Sequence, residues 1–240
     1  ATANSFNRYR SSFIKFPSTT KYFTKDSTLF APGDIFVQSD LANTLGRIIE
    51  NGTDGFYRGK TAELIVAQSQ KMDGIISFDD LMKYNTVVRE VVTGNYRGFK
   101  ILSMPPPSSG GIALIELLNI LENIDLKSLG HNSTKYVHYL TEAMRRVYAD
   151  RSKYLGDPDF YPVPIDSLIS KNYAKKLYSQ ITSSASNSAD ILPGLVESRE
   201  SMETAHYSII DKWGNAVSVT TTINSGYGSK VVVDGAGFFL

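Results

Sequence analysis

Two short runs of alternating apolar and polar residues constrain this chain more than any other feature of its sequence. The runs are AHYSIID at 205–211 and AVSVTTTIN at 216–224, and KWGN separates them. Because successive side chains of a strand point to opposite faces, and because Asn and Gly favour tight reversals, the pattern predicts a β-hairpin. In an even register Ile209 faces Val217 on the core side, whereas a slip of one residue would mix apolar and polar side chains on both faces.

The second face of this hairpin concentrates hydroxyl groups, together with one imidazole and one amide. It carries Thr204, His206, Ser208, Ser218, Thr220, Thr222 and Asn224, with Thr222 roughly opposite Thr204. Threonine is a good strand residue, so a solvent-exposed threonine face is one explanation. The other explanation is chemical, because Ser and Thr hydroxyls become nucleophiles when a base lies within hydrogen-bond reach.

The histidines of the chain give little support to a conventional Ser/His/Asp triad. His131 lies beside a glycine in a turn and His138 lies on a helix, so we interpret both as surface or packing residues. His206 shares the face of Thr204 but lies two residues along the same strand, and we interpret it as mainly structural. If the hydroxyl face is catalytic, its base is therefore of another kind.

A threonine that opens a strand directly after a serine-rich linker suggests that the base is its own amine. If Thr204 were the first residue of a new chain, its α-amine, with an ordinary pKa of about 7.7–8.0, could act as the general base. The same hydroxyl could first attack the carbonyl of Glu203, giving an ester whose hydrolysis cuts the chain before Thr204. Thr222 could orient that hydroxyl in both steps.

Elsewhere the sequence indicates helices and one more pair of strands. Apolar spacing and end signals predict helices at 40–52 and 59–72. Ser77 and Asp80 predict a capping pair for a shorter helix. β-branched and aromatic residues at 87–104 predict two strands, with the reversal at Gly94-Asn95.

A long helix is predicted at 133–157, with one apolar stripe and one charged face. The expected buried stripe is Val137, Leu140, Ala143 or Met144, and Val147, and the expected solvated charges are Glu142, Arg145 and Arg146. The serine-rich segment at about 179–203 has almost no apolar periodicity, so we expect an exposed, mobile linker there.

The segment MPPPSSGG at 104–111 precedes an apolar helix and allows two interpretations. It could be a backbone cradle for an anion at a helix N-terminus, or a rigid loop that starts a buried helix. The absence of a Lys or Arg beside the glycines favours the rigid loop, because a phosphate loop normally has one.

Composition excludes several classes of function. No cysteine occurs among the 240 residues, which removes disulfides, thiolate nucleophiles and cysteine-based metal sites. The formal net charge is +1 with both signs mixed along the chain, so nothing indicates a nucleic-acid partner. The longest apolar run, at 111–121, is about half of the ~20 residues that a membrane span needs and contains Glu116, so we expect no span in this segment.

Four ordered segments resemble one known family. TAHYSIIDKWGNAVSVTTTINSGYGS resembles the sequence that opens the small subunit of the γ-glutamyltranspeptidases, also called glutathione hydrolases, which are autoprocessing N-terminal-nucleophile hydrolases. Three further segments resemble large-subunit signatures of the same family, and they are DGFYRGKTAELI at 54–65, SMPPPSSGG at 103–111 and YADRSKYLGDPDF at 148–160. The similarity runs from about residue 30 to the end of the chain.

This resemblance implies an α+β fold that forms part of a four-layer αββα sandwich, truncated at both ends. It implies that residues 1–203 are the C-terminal part of the large subunit and that 204–240 are the first hairpin segment of the small subunit. It also implies that the chain is part of an uncleaved precursor, a zymogen. The partner of this segment would then be the remainder of the same precursor. Bacterial members of the family are typically periplasmic or secreted, so the same location is expected here.

The resemblance also implies a site and a reaction. Thr204 would be the nucleophile, Glu203-Thr204 the autocleavage bond, Thr222 an assistant of the nucleophile, and Asn224 a ligand for the polar head of the γ-glutamyl group. The family breaks the γ-glutamyl amide of glutathione and related compounds through an ester on that threonine. Water then gives hydrolysis, and an amino acid or dipeptide acceptor gives transpeptidation. No cofactor or metal is implied.

Two departures from the family pattern bear on these expectations. Ala205 stands where many members have Thr or Ser, although alanine also occurs. An arginine that binds the α-carboxylate is expected upstream of this chain, and acidic ligands and oxyanion donors are expected downstream of Leu240, so we expect the isolated chain to be inactive. The alternatives are a related acylase, for example one that cleaves glutaryl-cephalosporins, and a non-catalytic relative that uses the hydroxyl-lined sheet for binding.

Overall fold

The computed structural model of the protein describes residues 2–25, 28–191 and 205–240. These residues divide into two units. One unit contains the described residues up to Thr86 together with those from Ala205 to Leu240, and the other runs from Val87 to residue 191. Glu203, Thr204 and the linker from residue 192 onward lie outside the described residues.

Within the described residues, the first unit contains six helices, then a hairpin and the segment that follows it to Leu240. The helices are α1 (Thr2–Phe13), α2 (Pro17–Phe23), α3 (Ser39–Asn51), α4 (Asp54–Tyr57), α5 (Gly59–Lys71) and α6 (Phe78–Lys83). The predicted helices at 40–52 and 59–72 are confirmed as α3 and α5. The predicted capping pair is also confirmed, because Asp80 N–H donates to Ser77 Oγ over 3.3 Å while the Asp80 carboxylate accepts from Ser77 N–H over 2.8 Å.

An aromatic cluster joins the ends of this unit in space. Phe6, Phe13 and Phe23, from α1 and α2, are buried with Val232, and Phe23 lies 4.5 Å from Phe239 between ring centroids. The buried hydroxyl of Thr19 adds two hydrogen bonds to this contact. Thr19 Oγ1 donates to the carbonyl oxygen of Lys230 over 2.7 Å and accepts from Val232 N–H over 3.0 Å. The chain after the hairpin is therefore held by the first two helices.

Strands β3 (Ala205–Ile210) and β4 (Ala216–Thr221) form the antiparallel hairpin that the alternating runs predict. The even register is confirmed, since Ile209 pairs with Val217. The expectation of a core side is wrong for this chain, because Ile209 is 58% exposed and Val217 is 54% exposed. Two strands bury little apolar surface by themselves, and none of the described residues covers this face.

The second unit packs helices against a separate two-stranded sheet. Its elements are β1 (Val92–Tyr96), β2 (Phe99–Ser103), α7 (Gly110–Leu121), α8 (Thr134–Tyr154), α9 (Ile165–Leu168), α10 (Lys171–Tyr178) and a 3₁₀ turn at Ser188–Asp190. Apolar residues of α7, α8 and α10 form its main core, which includes Ile120, Val147 and Leu177. Within the described residues, no helix combines the length and apolar character that a membrane crossing requires.

The predicted strand pair at 87–104 is present, but its predicted reversal is wrong. The chain turns at Arg97 and Gly98, whose φ angles are 50° and 87°, and Gly94 lies inside β1. A Cβ added at Gly94 would lie 2.7 Å from Cγ2 of Ile115. Gly94 is therefore needed for close packing against α7, which is a tertiary contact that turn statistics do not register.

The predicted charged face of α8 is also wrong. Glu142 is 1% exposed and Arg146 is 5% exposed, whereas Val137, placed on the buried stripe, is 48% exposed. These charges can be buried because they form hydrogen bonds with one another and with the backbone of a neighbouring segment.

Candidate active site

The candidate site lies at the open end of the β3–β4 hairpin. The last strand pair in the described register joins Ala205 to Thr221, and Thr222 is the first residue after β4. The nucleophile predicted at Thr204 and the scissile bond after Glu203 are outside the described residues, and their arrangement stays a prediction.

Thr222 and Asn224 are linked by a tight local turn. The backbone N–H of Asn224 donates to Thr222 Oγ1 over 2.9 Å. Asn224 has a φ of 77°, a left-handed conformation that asparagine tolerates better than most other side chains. Both residues are exposed. The structure therefore brings together the two described residues that were predicted to assist the nucleophile and to bind substrate.

The loop after Asn224 keeps several residues in left-handed backbone conformations. Tyr227 and Lys230 have φ angles of 60° and 67°. Such angles cost free energy for residues with a Cβ, so the surroundings must hold them in place. The Tyr227 hydroxyl donates to Ser5 Oγ over 2.7 Å, and its ring lies 5.1 Å from that of Phe13. The aromatic cluster of the first unit thus supports the loop that carries Asn224.

His206 lies at the centre of the hydroxyl face. Its Nδ1 lies 2.8 Å from Thr220 Oγ1, and its Nε2 lies 3.2 Å from Ser218 Oγ and 3.3 Å from Ser208 Oγ. Among the described residues, its hydrogen-bond partners are hydroxyl groups and none is a carboxylate. This geometry does not form a Ser/His/Asp triad.

A side-chain contact joins the proline-rich loop to the last turn of α8. Arg151 Nε donates to Ser109 Oγ over 2.9 Å, and Ser109 is the N-cap of α7 without a side-chain capping bond. A Cβ added at Gly111 would lie 2.1 Å from the carbonyl oxygen of Met104, so the backbone folds tightly over itself there. These contacts fit a rigid loop that starts a buried helix.

A buried acid pair was not found from the sequence. Glu116 on α7 is 1% exposed, and burial, together with a hydrogen bond to the Asp150 carboxyl, raises the pKa of Glu116 to about 10. Burial and the neighbouring Asp150 carboxyl therefore both favour the protonated form of Glu116. The Tyr173 hydroxyl donates to the same Asp150 carboxylate over 2.7 Å. The one sequence signal was a glutamate inside an otherwise apolar run.

Charged residues of α8 hold the segment that follows α10. The Glu142 carboxylate accepts from Arg145 over 2.5 Å, from Arg146 over 2.8 Å and from Ser186 Oγ over 2.6 Å. Arg146 also donates to the carbonyl oxygen of Gln180 over 3.0 Å. Burial opposes the charge on Glu142, but the hydrogen bonds from Ser186 and the two arginines outweigh it and lower the pKa of Glu142 to about 2.

These buried groups border a cavity in the second unit. Arg146, Asp150 and Tyr173 contribute to the lining of a cavity of about 450 Å³. The described residues contain no group of three or more His, Asp or Glu side chains that could hold a metal ion.

The combination of helices, strands and loop geometry has a close counterpart among solved structures. The crystal structure of Helicobacter pylori gamma-glutamyltranspeptidase is similar at a TM-score of 0.75 and 47% sequence identity, covering 84% of this chain and 58% of that chain. The fold is thus the mixed helix-and-strand fold of this class of enzyme.

Sequence comparison identifies the family. The family model for gamma-glutamyltranspeptidase matches residues 1–240, so the chain belongs to that family. The glutathione hydrolase proenzyme of Escherichia coli (strain K12) is 44% identical over 242 residues, which cover 100% of this chain and 42% of the relative. The acylase ACY 1 proenzyme of Pseudomonas sp. (strain SE83) is 39% identical over 208 residues, 86% of this chain and 36% of the relative. The chain therefore spans less than half the length of these relatives.

Proposed function

We propose that this chain is part of a glutathione hydrolase precursor that cuts itself between Glu203 and Thr204 and then acts as a γ-glutamyltransferase. Residues 1–203 would belong to the large subunit and 204–240 would open the small subunit. The remainder of the precursor would complete a four-layer αββα sandwich and cover the exposed face of the hairpin. Family membership and the 44% identity to a relative named as a glutathione hydrolase proenzyme support this proposal.

Self-cleavage would be the first step. The Thr204 hydroxyl attacks the carbonyl carbon of Glu203, and the amide nitrogen leaves that carbon and takes a proton. Water then hydrolyses the resulting ester, which releases a carboxylate on Glu203 and a free α-amine on Thr204. The cut therefore creates the base that later turnover requires.

The second step would use that amine. It takes the proton of the Thr204 hydroxyl as the oxygen attacks the γ-glutamyl carbonyl carbon of the substrate, and it returns a proton to the departing amine. A γ-glutamyl ester of Thr204 remains. Water releases glutamate from it, and an amino acid or dipeptide accepts the γ-glutamyl group instead when its amine attacks.

One observation carries the assignment of the site. The confirmed register ends at the Ala205–Thr221 pair, and the next residue, Thr222, is already held in a turn with Asn224. Thr222 would orient the Thr204 hydroxyl, and the Asn224 amide would hydrogen-bond the polar head of the γ-glutamyl group. A periplasmic or secreted location is proposed on the family resemblance.

Intact-mass measurement of the full-length protein tests this proposal. The wild type should convert into two fragments that separate before Thr204, and Thr204→Ala should stay whole. Thr222→Val should slow conversion and lower kcat on γ-glutamyl-4-nitroanilide by about 10- to 100-fold, the range expected when a reacting group loses its orientation. Thr221→Val is the matched control, because its side chain lies on the opposite face of β4 and should change neither quantity.

The same assays separate the alternatives. A wild-type protein that never splits would refute autoprocessing and favour the binding relative. A protein that splits but hydrolyses a glutaryl-cephalosporin in preference to γ-glutamyl-4-nitroanilide would be an acylase. The 39% identity to an acylase proenzyme makes this comparison worth including.

A further inference from the structure

The imidazole of His206 spans two successive rungs of the hairpin. His206 pairs directly with Thr220 in the strand register, and Ser208 pairs directly with Ser218. The Nδ1 atom contacts the hydroxyl of the first rung at 2.8 Å, and Nε2 contacts the hydroxyls of the second rung at 3.2 Å and 3.3 Å. One ring therefore ties β3 to β4 through both of its nitrogens.

This network lies next to the site and on the same face. Residues two apart on a strand share a face and are about 6.6–6.8 Å apart. Thr222 is the first residue after β4, so continued alternation places it one such step from Thr220. An isolated two-stranded hairpin is only marginally stable, and its last rung frays most easily. Here the last described rung, Ala205 with Thr221, lies between the His206–Thr220 pair and Thr222.

We propose that His206 is a positioning residue that, through Thr220, holds the open end of the hairpin in register and thereby holds Thr222 in place. This inference rests on the proposed function. In the proposed function the α-amine of Thr204 is the base, so the role assigned to His206 is positioning alone. Asn224 bonds to Thr222 Oγ1 through its backbone N–H, and it has further support from the loop that packs on the aromatic cluster.

Because Thr222 and Asn224 have different supports, a change at His206 should affect the cleavage rate and kcat more than KM. Loss of the His206 contact displaces Thr222, so self-cleavage and kcat fall. Substrate binding changes less, because the loop after Asn224 keeps its Tyr227 contacts with Ser5 and Phe13 even when the bond from Asn224 N–H to Thr222 Oγ1 is lost. For His206→Ala we expect both the cleavage rate and kcat to fall by about 10- to 100-fold, with KM within about threefold of wild type.

Conservative variants of His206 separate its two contacts. An asparagine places its amide near the position of Nδ1 and can still bind Thr220. A glutamine places its amide near the position of Nε2 and can reach Ser218 and Ser208 instead. His206→Asn should therefore restore most of the activity that His206→Ala loses, and His206→Gln should restore less.

The experiment measures all variants in the full-length protein. Intact-mass time courses give the cleavage rate, and γ-glutamyl-4-nitroanilide turnover, divided by the cleaved fraction, gives kcat and KM. Thr220→Val removes the partner hydroxyl with little change of shape and keeps the test valid if His206→Ala folds poorly. If His206 acts through Thr220, the variant carrying both His206→Ala and Thr220→Val should be as slow as the slower of the two single variants and no slower. His131→Ala is the matched control, since it removes an exposed imidazole from the other unit.

The outcomes distinguish this inference from the function on which it rests. A wild type that neither splits nor turns over substrate would overturn both. An active wild type with unaffected His206→Ala and Thr220→Val would overturn this inference alone. Independent, additive losses, or His206→Asn as slow as His206→Ala, would also overturn the role through Thr220.

Discussion

Replacing Glu142 by glutamine should destabilise the contact between α8 and the segment after α10. The Glu142 side chain is 2% exposed, and its carboxylate accepts hydrogen bonds from Arg145, Arg146 and Ser186. Glutamine keeps the shape but removes the negative charge, and its NH₂ group cannot accept from these donors. Arg146, which is buried, and Arg145, which is 25% exposed, then lose their shared counter-charge. Leaving a buried charge unpaired is the costly way to break an ion pair.

The pKa of Glu142 sets the magnitude. The hydrogen bonds lower this pKa from the ordinary 4.5 to about 2. At 1.36 kcal/mol per pKa unit, this difference corresponds to ~3 kcal/mol of stabilisation of the charged form. Measured losses on breaking one partner of a buried pair are about 3–5 kcal/mol, which is the same size.

The lowered pKa also predicts a pH window. A carboxyl whose folded pKa lies below its unfolded value stabilises the fold above the unfolded pKa and loses that contribution as pH falls through the folded pKa. The difference between wild type and Glu142→Gln should therefore be complete at neutral pH. It should shrink as pH falls from 4.5 toward about 2.

Hydrogen exchange read by mass spectrometry measures this locally. Peptides covering α8 and residues 180–188 should exchange about 100-fold faster in Glu142→Gln at neutral pH, since each ~1.4 kcal/mol is a factor of ten. Glu90→Gln, an exposed glutamate of the same unit, is the matched control. Exchange in Glu142→Gln within about twofold of wild type would refute the reasoning, because surface substitutions alone cost about 0.5 kcal/mol or less.

Two further substitutions test the buried contacts of α7. Glu116 has a raised folded pKa, so its contribution to stability is present below its unfolded pKa and is lost as pH rises through about 10. Glu116→Gln should therefore melt at a temperature that depends less on pH than wild type does between about pH 6 and about pH 9, and equal slopes would contradict the assignment. Gly94→Ala should lower the melting temperature by forcing Ile115 aside, at a cost of about 1–3 kcal/mol. Gly46→Ala, in α3 with no heavy atom within 4 Å of the added Cβ, should not lower it, and equal effects of both changes would refute the packing argument.

Elements whose signals span only a few residues were predictable from the sequence. The end of α3 before Gly52 depends on one glycine with a φ of 60°. The Ser77–Asp80 capping box and the Ile209–Val217 register likewise depend on short spacings and side-chain parity. The same parity predicts Thr222 beside the last hairpin rung, and its role in the candidate site stays a prediction.

Burial was not predictable in the same way, because it depends on which segments meet in space. The charges of Glu142 and Arg146 predict exposed side chains. Both are buried because Ser186 and Gln180, which are distant in the sequence, supply hydrogen-bond partners. Gly94 predicts a turn from the sequence alone, whereas in the structure it lies inside a strand and packs against Ile115.

The sequence by itself therefore determined strand parity, helix ends and the family, since these depend on neighbouring residues and their order. Only the tertiary structure decided which charges are buried, why Gly94 lies inside a strand, and how one imidazole links two rungs beside Thr222. Those features depend on distances between residues that are separated in the chain, and no local pattern encodes such distances.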